Sequence, residues 1–320
     1  MKKEKYDKAP VHMTSIGGQA VIEGVMMRGP KETATAVRKS DGTIVIDRRP
    51  LSTFISKYKI NKIPIIRGVF SFVDSLVTGM KCLMFSADQM DLEEEDESYK
   101  PSRFETWLED KFGDKVKDIA IYFAVVVAIF FSIGLFMLLP HLLASLVALF
   151  VENPIILNLC EGIIRMTIFL VYLLLVSRMK DIQRVFEYHG AEHKTIATYE
   201  SGAELTVENA RKHSRLHPRC GTSFLLIVMI VSIIFFSFLK WEEVWKNILF
   251  RLALLPVVAG VSYEIIKFAG RSKNRCVAFL TKPGLWLQKI TTREPDDSQL
   301  EVAIASIKAV LTDNKEDDKW

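Results

Sequence analysis

The chain has 320 residues, 49% of them apolar and 25% charged, with a formal net charge of +4. That balance excludes a chain built only of membrane spans, and the charge is too small to argue for nucleic-acid sequence readout. Four cysteines (Cys82, Cys160, Cys220, Cys276) form no close CxxC pair, so reduced thiols rather than a disulfide framework are expected. The basic N-terminal arm has no apolar core behind it, so it does not read as a cleavable signal peptide, and insertion falls to internal spans.

Residues 1–62 read as an N-terminal segment with a small β unit. Ser40-Asp41-Gly42 separates the runs Thr33–Arg38 and Thr43–Asp47, a strong short-range hairpin signal. Before it, Gly17–Gly29 holds four glycines in thirteen residues, which implies turns, bulges or close backbone approach. Their spacing matches neither a dinucleotide fingerprint nor a P-loop, so no phosphate cradle is expected.

Residues 63–90 carry Ile66, Val69, Phe70, Val73, Val77 and Met80 at helical spacing, interrupted by Arg67, Asp74 and Lys81. An amphipathic helix at the membrane surface, or against the membrane core, fits better than a clean span. Residues 91–117 form an acidic linker with a basic flank.

A transmembrane core is expected over 118–268. Ile119–Leu139 is long enough to cross and should stop at Pro140. Segment 142–150 is too short to cross alone and reads as a re-entrant piece or an extension of the first hairpin. Ile155–Val176, Phe224–Leu239 and Ile248–Phe268 are the remaining spans, and Glu161 and Arg165 share one face of the second. Lysines and arginines before the first span, in the loop 177–223 and after the fourth span place both termini and that loop in the cytoplasm. In the cytoplasmic segment 269–320, Ser298 and Glu301 suggest a capping box ahead of a stripe of Leu300, Ile304, Ile307 and Leu311. That stripe should pack on the β unit or the loop. The fold class is thus an α-helical polytopic protein of the cell membrane, with about four transmembrane helices, a small N-terminal β unit and cytoplasmic helical elements.

The chemistry is expected in the loop. His189, His193, His213 and His217 fall within 29 residues. His189-Gly190-Ala191-Glu192-His193 is an H-x-x-E-H string: on a helix its two imidazoles reach one ion, and Glu192 is placed to act as a base. His217 or Cys220 is expected to complete a three-ligand shell, with Glu200 and Glu204 as further candidates. Imidazole, thiolate and carboxylate donors suit zinc better than magnesium or calcium. Glu264, in the fourth span, either snorkels or points at the histidines.

The segments Gly17–Gly29 (GGQAVIEGVMMRG), His189–Lys194 (HGAEHK), His217–Ser223 (HPRCGTS), Pro256–Lys267 (PVVAGVSYEIIK) and Pro283–Gln288 (PGLWLQ) resemble the YqhQ family. That bacterial integral-membrane family is described as predicted metal-dependent enzymes. The resemblance implies a divalent metal and adds Gln19, Glu23 and Arg28 as candidate site residues. Two functions follow as expectations. One is a membrane-embedded, metal-dependent hydrolase working at the cytoplasmic face on a lipid-linked molecule or a peptide near the bilayer. The other is a non-enzymatic biogenesis or assembly factor that docks a ribosome, a translocon or another membrane complex. Membrane lipids are partners in either case, and a transporter is disfavoured because no inverted repeat is visible.

Overall fold

The structure is a computed structural model that describes residues 11–51, 63–90, 116–240, 243–271 and 275–319. The expected acidic linker Asp91–Glu97 and the basic residues Lys111, Lys115 and Lys273 lie outside these. The described residues divide into two compact units: Met1–Met90, Tyr172–Val231 and Leu254–Trp320 form one, and Asp91–Val171 with Ser232–Ala253 the other.

The first unit contains an antiparallel sheet in the order β1-β2-β3-β4, with β1 Gly17–Val21, β2 Gly24–Arg28, β3 Glu32–Arg38 and β4 Ile44–Pro50. The expected hairpin joins β3 to β4, where Gly42 takes φ 84° and the Asp41 carboxylate accepts the Thr43 N–H at 2.8 Å. The glycine-rich segment is a second hairpin, β1–β2. Gly24 sits where a Cβ would collide with the Ala36 carbonyl, so the close approach of β3 demands glycine there.

One face of the sheet buries Val25, Met27, Ala34 and Ala36 against α5 (Lys180–Glu200) and α10 (Asp297–Val310). Leu300, Ile304 and Ile307 of the expected stripe enter this core, so it does pack on the β unit. The capping box, however, is Asp296 with Gln299 rather than Ser298 with Glu301. Asp296 accepts the Gln299 N–H at 2.9 Å and its own N–H donates to the Gln299 side chain at 3.0 Å, so the helix starts two residues earlier than expected.

The other face meets α1 (Ile66–Gln89) through Val21, Met26, Val37 and Cys82. Two charges in α1 are paired: Arg67 with Glu264, and Asp74 with Arg28 at 2.7 Å. Its exposed side carries Ile66, Phe70, Val73, Val77 and Met80, the predicted apolar stripe.

Among the described residues, four helices are long and apolar enough to cross a membrane: Ile66–Gln89, Phe123–Val147, Pro154–Val176 and Val244–Ala269. This is a membrane protein. Three of the four coincide with expected spans. The third expected span, Phe224–Leu239, lies on α7 (Gly221–Ser237), whose apolar part Phe224–Ser237 is shorter than the other four. By length and composition α1 qualifies in its place, although its Gly79 and Cys82 contact the sheet.

The second unit corrects the reading of Pro140. The first span does not stop there: α2 (Val116–Ile133) passes through a π turn, Gly134–Leu138, into α3 (Leu139–Val147), so segment 142–150 extends the span. Proline has no N–H to give to the carbonyl four residues back, which is Phe136. Arg165 of α4 (Pro154–Val176) fills that vacancy, donating Nε–H to the Phe136 carbonyl at 2.9 Å. The expected Glu161–Arg165 pair is present at 2.5 Å and belongs to a larger buried cluster. Glu161 also accepts from His141 Nδ1 at 2.9 Å and from Arg251 of α8 (Val244–Arg271), while Arg251 Nη2 donates to the Asn158 side chain at 3.1 Å. Both guanidinium groups lie over the Phe236 ring, 5.3 Å and 5.7 Å from its centroid.

Candidate metal centre

The histidine string lies on α5 as its spacing requires, with His189 and His193 on one face and their ring centroids 4.5 Å apart. Each ring is fixed by a backbone carbonyl. His189 Nδ1 donates to the Thr291 carbonyl at 2.8 Å, and His193 Nδ1 donates to the Arg215 carbonyl at 2.6 Å. A carbonyl only accepts, so Nδ1 carries the proton on both rings and both Nε2 atoms present a lone pair. His189 Nε2 accepts from the Cys220 thiol at 3.2 Å. His193 Nε2 is fully buried without a partner. Nitrogen and sulfur ligand atoms of His189, His193 and Cys220 all lie within 4.8 Å of one another.

Gly190 makes this arrangement possible. A Cβ there would overlap the Arg293 carbonyl, so only glycine lets the segment after α9 (Arg275–Thr291) run close enough for Thr291 to reach His189. Cys220 immediately precedes α7, and Thr222 donates its N–H to the sulfur at 3.4 Å. Burial alone would raise the Cys220 thiol. The contact with the His193 ring and the bonds with Thr222 outweigh it and hold the thiol below its ordinary value. Burial lowers His193, and the neighbouring His189 adds to this, which keeps the ring neutral and ligand-competent.

Glu192 is 5% exposed and lines a cavity of about 110 Å³ together with Ile16, Gly17, Gly18, His193 and Cys220. Burial pushes its carboxyl up to about 7; the Cys220 sulfur also raises it, against His189 and the Gly18 N–H, which lower it. His217 and Arg219 line the same cavity.

The structure brings together His189, Glu192, His193 and Cys220. It places His217 beside them, with rings of His193 and His217 5.7 Å apart, but His217 Nε2 turns to Glu200 at 3.5 Å. Glu200 also accepts from Arg219 and from the Thr14 N–H at 2.9 Å. The other candidates sit elsewhere. Gln19 packs on Gly79, Glu23 binds Arg184 and Tyr188, Arg28 binds Asp74, and Glu264 binds Arg67 rather than the histidines. Glu23, Arg28 and Glu264 are each drawn to an opposite charge rather than to the histidines. Glu204 leaves the cluster altogether and borders a separate shallow surface pocket with Tyr199 and Leu205.

Gln288 is the residue that sequence reasoning missed. Fully buried, it accepts the His217 N–H at 2.9 Å and donates to the His217 carbonyl at 2.8 Å, clamping the segment between Arg215 and Cys220. The available signal was an amide at the end of the quoted segment Pro283–Gln288, on a helix where an apolar residue would otherwise be buried.

The family model described as "Protein of unknown function (DUF1385)" matches residues 63–313. The "Uncharacterized protein YqhQ" of Bacillus subtilis (strain 168) is 36% identical over 301 residues, which cover 92% of this chain and 92% of that one. No solved structure matches the chain. A family match of that extent, with identity carried along nearly the whole of both chains, means that this protein belongs to the DUF1385 family and is YqhQ-like.

Proposed function

We propose that this membrane protein is a metal-dependent hydrolase, with its centre on the cytoplasmic side of the cell membrane. The observation that carries the reading is the buried, unpartnered Nε2 of His193, which faces the same small volume as His189 Nε2 and Cys220 Sγ. Buried polar groups almost always find a partner, so a nitrogen left bare here fits a ligand position. Two imidazoles anchored through Nδ1 to carbonyls, together with a thiol held below its ordinary value, would supply the donor set and the outer support of a zinc site.

A divalent ion held by His189, His193 and Cys220 would supply Lewis acidity for hydrolysis. The protein groups do the rest. Glu192 is next to a ligand and inside the cavity, so its carboxylate takes a proton from the attacking water and returns it to the leaving group. Gly18 lies against that side chain, with no room for a Cβ between them. His217, held by Glu200 on one side and Gln288 on the other, walls the cavity with a fixed imidazole.

Metal analysis of the purified protein tests this reading. Wild type should hold about one ion per chain, and His189→Ala, His193→Ala and Cys220→Ala should each lose it. A wild type that binds no divalent metal overturns the hydrolase reading and favours a docking or assembly role.

A further inference from the structure

We infer that the substrate of this centre is an extended polypeptide segment that adds to the outer edge of β1. The chemistry rests on the hydrolase reading, whereas the docking edge stands on its own observations.

β1 is the first strand of the sheet, and among the described residues no strand pairs with its other side. The turn Ile22-Glu23 holds two residues, so Val21 and Gly24 are the closing hydrogen-bonded pair of the β1–β2 hairpin. Alternation then assigns Val21, Gln19 and Gly17 to the ladder with β2, and turns the backbone groups of Gly18 and Ala20 outward. No hydrogen bond within the described residues occupies the Gly18 carbonyl or either backbone group of Ala20. Pairing by the C-terminal tail stops short of β1, at the bridge between Thr14 and Lys319.

This edge runs into the cavity. Gly17 and Gly18 are exposed, and both line it alongside Glu192, His193 and Cys220. A Cβ at Gly18 would press on the Glu192 side chain, so glycine there keeps the carboxylate and the edge in contact. A strand added about 4.8 Å beyond β1 would lie beside the cavity that Gly17 and Gly18 share with Glu192, His193 and Cys220. An anionic substrate is less well served. Arg219, the cationic side chain among the described lining residues, is already paired with Glu200. In the reaction, water oxygen bonds to the peptide carbonyl carbon, the C–N bond breaks, and the amine leaves with the proton that Glu192 relays.

The test uses the full-length protein in detergent micelles with zinc added, and fluorescent peptides of extended sequence. Ala20→Pro removes one outward N–H without touching the β1–β2 ladder. Wild type should cleave the peptides, and Ala20→Pro should lower kcat/KM about tenfold at unchanged metal content, the size of one lost hydrogen bond. Peptides N-methylated at successive backbone positions should lose affinity for wild type in an alternating pattern, a readout that needs no variant to fold. Peptide binding to metal-free protein, followed by fluorescence anisotropy, separates the two readings: binding that Ala20→Pro weakens sustains the edge even if no metal is held. Metal-loaded wild type that neither binds nor cleaves peptides, or peptide binding indifferent to N-methylation, overturns the inference while leaving the hydrolase reading in place.

Discussion

The chain buries two groups of polar side chains, and they are built on opposite terms. Around Glu161, one carboxylate takes hydrogen bonds from His141, Arg165 and Arg251, and Asn158 uses its own amide on Arg251 and on the Leu239 carbonyl. Only Arg251 Nε is left over, on a guanidinium whose terminal nitrogens are both engaged. Around His193, each imidazole is fixed through Nδ1 while the Nε2 atoms converge with Cys220, and a cavity opens beside them. Saturated donors and acceptors make a lock. Fixed donors with an unused lone pair make a site. Burial and residue type alone do not distinguish the two; the valence left open does.

Three substitutions would sharpen or break that contrast. The largest effect is expected from Glu161→Leu, which leaves two guanidinium groups without their shared carboxylate. Breaking a buried pair of this kind costs about 3–5 kcal/mol, so thermal unfolding in detergent should show a strongly lowered Tm or no folded protein at all. A mild effect would mean that Glu161 is not the centre of a lock.

Next comes Gly190→Ala. The new methyl meets the Arg293 carbonyl, and overpacking of this sort costs about 1–3 kcal/mol. Because the same approach sets the Thr291 carbonyl on His189, zinc affinity should fall along with stability. Retention of full affinity would separate the anchoring carbonyl from the site.

The smallest effect concerns acid. Burial would raise Glu200, but the bonds from His217 and the charge of Arg219 outweigh it and hold its carboxyl below the ordinary 4.5. A folded-state value below the unfolded one contributes stability that is complete above about 4.5 and is lost as the pH falls through the folded value. Unfolding followed from neutral pH down to about pH 3 should therefore show an acid limb that is shallower in Glu200→Gln. An identical limb would remove Glu200 from the account.

Much of this was legible in the sequence where one residue type answers to one local rule. Asp41-Gly42 gave the β3–β4 turn, and HGAEH gave two imidazoles on one helical face. The apolar runs gave three of the four long helices. What was hidden depended on contacts between distant segments. Pro140 reads as a stop until a second helix supplies the donor that Phe136 needs. Cys220 and His217 have equal claims to the third ligand position until Glu200, seventeen residues before His217, engages its Nε2. Gln19, Glu23 and Arg28 sit in a segment that does reach the site, yet it is Gly17 and Gly18, just before them, that touch the cavity. Side chains were the easier signal to read, and here the backbone carries the contact.

The Phe136 carbonyl has a consequence for how this protein enters its membrane. A bare carbonyl in hydrocarbon costs several kcal/mol, and Pro140 has no N–H to offer the Phe136 carbonyl. The partner arrives on the following helix, twenty-nine residues later in the chain. Neither helix is at ease in lipid alone, since one brings an acceptor that Pro140 cannot serve and the other a charged guanidinium. The favourable route is for the pair to leave the aqueous phase together, as a hairpin whose halves neutralise each other's burden before lipid closes around them.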